Sequence, residues 1–170
     1  ESFREVTKER FQGIYAFELD AANAERAKQY DFMQDRRVHL FAMGIGRENT
    51  QLRYMQTGTS ASGLGRTSRH AVLANAAVKS IDSMIVQGEL EERFTFVKLN
   101  INGSEADALY GMKRMLQRDK PKLAVCCTNR FADLWQLPLL LRELVPEYQL
   151  TLHHHGDKLE GTVLYAFVDE

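Results

Sequence analysis

The stretch that most constrains this chain is Phe94-Thr95-Phe96-Val97-Lys98-Leu99-Asn100-Ile101-Asn102-Gly103-Ser104-Glu105. Five of its first eight residues are apolar, without clean alternation, which is how a strand buried on both faces of a parallel sheet reads. Asn100, Asn102 and Gly103 break the run. Ser104 and Glu105 then open a segment in which Ala106, Leu109, Met112 and Leu116 recur at helical spacing. A strand, a polar turn and a helix follow one another. In an open α/β sheet, ligands bind outside the carboxyl ends of the strands, so the side chains of this turn are the first candidates for substrate contact. Asn in such a place also shapes turns and caps helices, with no ligand involved.

The rest of the chain repeats this alternation. Residues 1–11 read as the tail of a helix with Phe3, Val6 and Phe11 as its buried positions. Residues 13–20 form an aromatic and β-branched strand ending in carboxylates, and residues 21–30 a helix capped by Asp20. Glu18 ends the strand where a carboxylate can accept from both hydroxyls of a ribose, although a strand-terminal Glu is also commonly solvated or a cap. Residues 38–44 give another strand, and Gly44-Ile45-Gly46 ends it where backbone could approach a flat ring such as adenine. Residues 50–57 read as a half-exposed strand. Residues 58–68, rich in Gly, Ser and Thr, read as a long polar loop, either a surface connection or a binding loop.

A strand over 70–78 and a short helix over 80–87, capped by Ser80, precede the central unit. After it come a strand over 122–127 introduced by Pro121 and a Leu-rich helix over 131–144. That helix carries Trp135, and Pro138 either sits in its first turn or divides it. Two last strands, over 148–153 and 162–168, are joined by 154–161 in a connection short enough for an antiparallel pair. The expected fold is α/β in one domain, residues 1–170: a mostly parallel sheet with one reversed strand near the C-terminus.

Composition excludes some partners. The 170 residues are 44% hydrophobic and 26% charged, enough for one soluble domain with a core. A net charge of −1 with interspersed signs gives no general attraction to nucleic acid or an anionic membrane, so small or neutral partners fit better. No apolar run approaches the ~20 residues that span a bilayer, and the charged N-terminus lacks the core of a signal peptide, so a cytoplasmic protein is expected. Adjacent Cys126 and Cys127 read as a buried, reduced pair. Among His153, His154 and His155, the first and third share a strand face, but a metal site there lacks an evident third ligand.

Five segments, in order, resemble one family. Tyr15-Ala16-Phe17-Glu18-Leu19-Asp20, Ser80-Ile81-Asp82-Ser83-Met84-Ile85, 96–105, Asp133-Leu134-Trp135 and Thr162-Val163-Leu164-Tyr165-Ala166 look like successive signatures of the FkbM-type methyltransferases. The resemblance implies a class I, Rossmann-like methyltransferase fold, S-adenosylmethionine as cofactor, and methyl transfer to a hydroxyl of a sugar or natural product. By position, Glu18 with Leu19 would hold the cofactor ribose, with Gly44 and Ile45 beside the adenine. The turn from Asn100 to Glu105 would face the transferred methyl group.

Three positions depart from the family, which usually shows Asp at Asn100, Glu at Asn102 and His at Asn129. An acid or a His can take a hydroxyl proton and an amide cannot. His154 is the closest counterpart of a basic or histidine-containing stretch in the family and becomes the remaining candidate base. The family's first strand and Gly-rich cofactor loop are not found before Glu1, so the natural chain is expected to extend upstream. Two functions follow as expectations: a methyltransferase acting on a small hydroxylated acceptor, or a non-catalytic relative kept as a binding or scaffold domain. Homo-oligomerisation is left open.

Overall fold

The structure, a computed structural model, describes residues 2–56, 72–90, 93–156 and 161–169. The polar loop expected over 58–68, the start of the strand expected from 70, and residues 157–160 of the last connection lie outside the described residues. The chain divides into two compact units, Glu1–Gly44 with Gln51–Ala77, and Ile45–Thr50 with Val78–Glu170.

In the first unit, the aromatic run places β1 (Ile14–Phe17) beside β2 (Val38–Phe41) in parallel, with Ile14 opposite Val38 and Phe17 opposite Phe41. Matched rings reinforce the register: Tyr15 stacks on His39 at 5.2 Å and Phe17 on Phe41 at 5.1 Å. The Glu18 N–H extends the ladder by donating to the Phe41 carbonyl at 3.0 Å. Asp20 caps α2 (Ala21–Ala27) as expected, but the helix stops three residues before Tyr30 and gives way to a 3-10 turn over Asp31–Gln34. The remaining strands here are β4 (Thr50–Gln56) and β5 (Val72–Lys79), neighbours in a separate sheet; the first residue of β4 and the last two of β5 belong to the second unit. Helix α1 (Ser2–Thr7) does not bury the face expected of it: Val6 is 81% and Phe3 41% exposed.

In the second unit, β3 (Gly44–Ile45) runs in from the first and is followed by Gly46, whose N–H donates to the Lys79 carbonyl at 3.0 Å. Ser80 caps α3 (Ile81–Val86) through the Ser83 N–H, as its sequence position implies. Four strands form one sheet in the order β6 (Phe96–Leu99), β7 (Lys122–Cys126), β9 (Thr162–Phe167), β8 (Gln149–His154). Here the expected fold class is corrected. Only β6 and β7 pair in parallel, while β7 with β9 and β8 with β9 are antiparallel, so the sheet is mixed and not the mostly parallel, Rossmann-like one. The reason is where the returning strand lies: a reversed strand at an edge alters one ladder, whereas β9, lying between β7 and β8, alters two.

The helix after β6 is also divided, into α4 (Glu105–Gly111) and α5 (Lys113–Asp119). A Cβ on Gly111 would lie 1.8 Å from the Gly46 carbonyl oxygen, so the backbones meet where the helix breaks. Asp82 supplies the start of α5 from another helix, accepting from the Arg114 and Met115 N–H groups at 2.8 and 2.9 Å. Helix α6 (Asp133–Leu144) contains Pro138 in its interior, neither in its first turn nor at a division. Its Leu137, Leu141 and Leu144 are buried with Leu99, Leu109 and Leu116, while Trp135 and Leu139 are exposed. Each such Leu contributes roughly 1.5–3 kcal/mol through burial.

Candidate functional site

The four-stranded sheet gathers several of the expected residues at one edge. Parallel β6 and β7 both end there, antiparallel β9 begins there at Thr162, and β8 ends there at His154, which pairs with Thr162. The Cys127 N–H closes this edge by donating to the Thr162 carbonyl at 3.0 Å. Asn100 and Asn102 after β6, Asn129 after β7, and His154 therefore share an edge, and all four are exposed.

Glu105 organises the β6 end of it. Its carboxylate is 0% exposed and accepts from the Ile101 N–H at 2.9 Å, the Gly103 N–H at 2.9 Å and Asn129 Nδ2 at 2.8 Å. The loop after β7 is thus tied to the turn after β6. Ser104, the residue before α4, makes no side-chain cap, because Glu105 reaches back into the turn. Asn102 and Gly103 both lie in the left-handed region, with φ of 57° and 96°. Asn tolerates that conformation better than Glu, so Asn102 has a backbone reason to be Asn. On the other side of Asn129, Asp133 is fully buried and holds the Arg130 guanidinium at 3.0 Å.

His154 stands apart from that turn. Its Nδ1 is 3.0 Å from Thr162 Oγ1. Three strand spacings separate β8 from β6, about 14 Å at ~4.8 Å each. On the opposite sheet face, His153 stacks near His155 at 6.2 Å, both set their edges to Tyr165, and His155 Nε2 lies 2.9 Å from the Tyr165 hydroxyl. Among the described residues no group of three or more His, Cys, Asp or Glu could hold a metal ion. Cys126 and Cys127 are free and buried, and burial pushes the Cys127 thiol up to about 11.

In the first unit, Glu18 and Leu19 are half-buried just past β1. Glu18 Oε1 accepts from the Asp20 N–H at 2.8 Å, and Asp20, fully buried, accepts on Oδ1 from the Ala22 and Asn23 N–H groups and from Gln56 Nε2 at 3.1 Å. Tyr54 is buried close by, and that burial, then the Asp20 and Glu18 charges, pushes its phenol up. Gly44 belongs to this unit and Ile45 to the second. The tight backbone approach near them is made at Gly46, against Gly111.

The structural importance of Glu105 and Asp133 was not read from the sequence. The available signal was an acid at or just inside a helix start, next to apolar positions that only a buried segment would carry.

Among the described residues, no helix is long and apolar enough to cross a membrane. No family model matches the chain, and no curated protein matches it. It is similar to the crystal structure of methyltransferase FkbM from Methylobacillus flagellatus KT, with 26% identity and a TM-score of 0.73. The match covers 97% of this chain and 39% of that one, so the chain spans well under half the length of the solved protein it resembles in structure.

Proposed function

We propose that the chain is an S-adenosylmethionine-dependent methyltransferase acting on a hydroxyl of a sugar or another small natural-product acceptor. The observation that carries this reading is the likeness, over 97% of the chain, to a solved methyltransferase. The residues of the first unit fit a ribose. A carboxylate has two oxygens and about four acceptor positions, so the one bond from the Asp20 N–H leaves Glu18 able to accept from ribose hydroxyls. Glu18 and Leu19 would hold the ribose, and Gly44, in the same unit, is assigned the adenine. When bound, the cofactor supplies an electrophilic methyl group on a sulfonium.

The edge formed by Asn100, Asn102 and Asn129 is assigned the acceptor. Its amides can orient a hydroxyl by hydrogen bonds but cannot take its proton. Glu105, enclosed and bonded by three donors, is part of the turn and not a free base. His154 is assigned proton removal only for an acceptor long enough to reach across the sheet edge.

A second reading, a non-catalytic binding domain, is favoured by that same enclosure, which leaves the β6 turn without an available acid. Production of S-adenosylhomocysteine against a panel of sugars and polyols separates the two, using the wild type, Asn100→Asp, Asn129→His and His154→Ala. General-base catalysis contributes about 10²–10⁴-fold, so slow turnover raised by Asn100→Asp or Asn129→His supports the enzyme. Brisk wild-type turnover abolished by His154→Ala identifies the histidine as base. Absence of turnover in every variant that still binds cofactor favours the binding domain.

A further inference from the structure

Glu105 does more than close a turn. It accepts from Asn129 Nδ2 at 2.8 Å, and the same nitrogen lies 4.0 Å from Cys126 Sγ, so the donor end of this amide faces inward. Turning the amide over would set its carbonyl oxygen against the carboxylate, two acceptors face to face, which a buried site does not tolerate. The carboxylate itself cannot turn away, because the Ile101 and Gly103 N–H groups hold both of its oxygens. Asn129 is exposed, with Oδ1 on the side of the amide away from Glu105.

We propose that Glu105 is a positioning residue that fixes the polarity of Asn129, so that this edge presents a carbonyl acceptor and selects ligands bearing a hydrogen-bond donor, a hydroxyl or an amine, over their ethers. The inference deepens the reading of this edge as the acceptor site and rests on it. It also gives that site a direction: an unmethylated hydroxyl is held through its own proton, and the methyl ether that methylation would produce has lost that handle. Substrate and product differ at the atom that Asn129 reads.

The test is side-chain amide NMR of Asn129 in the wild type, Glu105→Gln and Glu105→Ala. Methyl α-D-glucopyranoside and its fully O-methylated derivative serve as probes. In the wild type, the Asn129 proton on Glu105 should exchange about 10–100-fold more slowly than that of a free Asn, the factor that a hydrogen bond to a charged group confers. Glu105→Gln, whose remaining oxygen can keep the bond, should preserve slowed exchange, and Glu105→Ala should lose it. A turn-filling role alone would not make the two variants differ in this signal. The glucoside should shift the Asn129 resonances in the wild type and Glu105→Gln, and the methylated derivative should not. Fast exchange in the wild type, equal shifts from both sugars, or no shift from the glucoside at any soluble concentration would each overturn the proposal. Failure to bind S-adenosylhomocysteine with the Asn129 response intact would instead sink the methyltransferase reading and leave the selectivity standing.

Discussion

Asp20 in the first unit and Glu105 in the second do the same work by opposite routes. Each carboxylate is completely buried, and each accepts two backbone N–H groups and one side-chain amide from a distant segment, Gln56 for Asp20 and Asn129 for Glu105. Asp20 precedes its helix and reaches forward to the first-turn N–H groups. Glu105 is the first residue of its helix and reaches backward to the turn that precedes it. The Ala22, Asn23 and Gln56 donors reach Asp20 on Oδ1, whereas the three donors to Glu105 use both oxygens. The difference teaches that a forward cap secures mainly its own helix, while a backward one secures a turn and whatever that turn holds.

The largest expected effect follows directly. Glu105→Ala strands three donors in a buried turn and should cost about 3–5 kcal/mol, by the logic of unsatisfied buried groups. Trp135, the chain's one tryptophan and a member of the second unit, reports it by fluorescence in urea. A cost below about 1 kcal/mol would break the comparison, since Glu105 would then be no more than a cap. Glu105→Gln should cost about 1–3 kcal/mol, because an amide can serve only one of the two oxygen positions.

Asp20→Ala comes next, at about 1–2 kcal/mol for a lost cap, read as faster hydrogen exchange of the Ala22 and Asn23 amides. Asp20→Asn, which keeps an oxygen for the Ala22, Asn23 and Gln56 donors, should cost less than Asp20→Ala. If Asp20→Asn costs as much as Asp20→Ala, acceptance at Oδ1 is not what secures the start of α2.

These two acids also mark what could be read beforehand. Asp20 and Ser80 were legible as caps because capping is local, settled by the residue and the helix that follows it. The strand runs at 14–17, 96–99 and 122–126 were legible from their apolar and β-branched composition, but the burial on both faces expected of 96–99 is not met, because β6 lies at the edge of its sheet with Phe96 42% exposed and only Leu99 buried. The direction of the sheet was not, because it depends on β9 entering between β7 and β8, a choice made by packing distant segments. The close approach of Gly111 to the Gly46 backbone, where the helix divides, was hidden for the same reason. At the candidate site, the tie that Glu105 makes between the turn after β6 and Asn129 was not legible, because it joins segments 24 residues apart. Asn102 in turn needs no loss of catalysis to explain it, only its left-handed backbone.

Further effects concern pH, and the units differ there too. In the first, the hydrogen bond from the Arg37 side chain holds the Asp35 carboxyl down to about 2. A depressed carboxyl stabilises the fold above its unfolded value near 4 and loses that contribution as pH falls towards 2. In the second, burial raises the Cys127 thiol from 9.0 to about 11. The unfolded chain loses that proton first, so the contribution present below pH 9 is lost as pH rises towards 11. The urea midpoint followed by Trp135 should therefore fall across the alkaline window, and Cys127→Ala should flatten the fall. An identical slope in the variant would remove the thiol from the account.

The central claim, that this chain holds S-adenosylmethionine through the end of β1, is tested most directly by titration calorimetry with S-adenosylhomocysteine on the wild type and Glu18→Ala. Loss of charged hydrogen bonds to the ribose should weaken binding by roughly 1.5–3 kcal/mol, a dissociation constant about 10–100-fold higher. Equal affinity in the two proteins, or no heat of binding in the wild type, would contradict it.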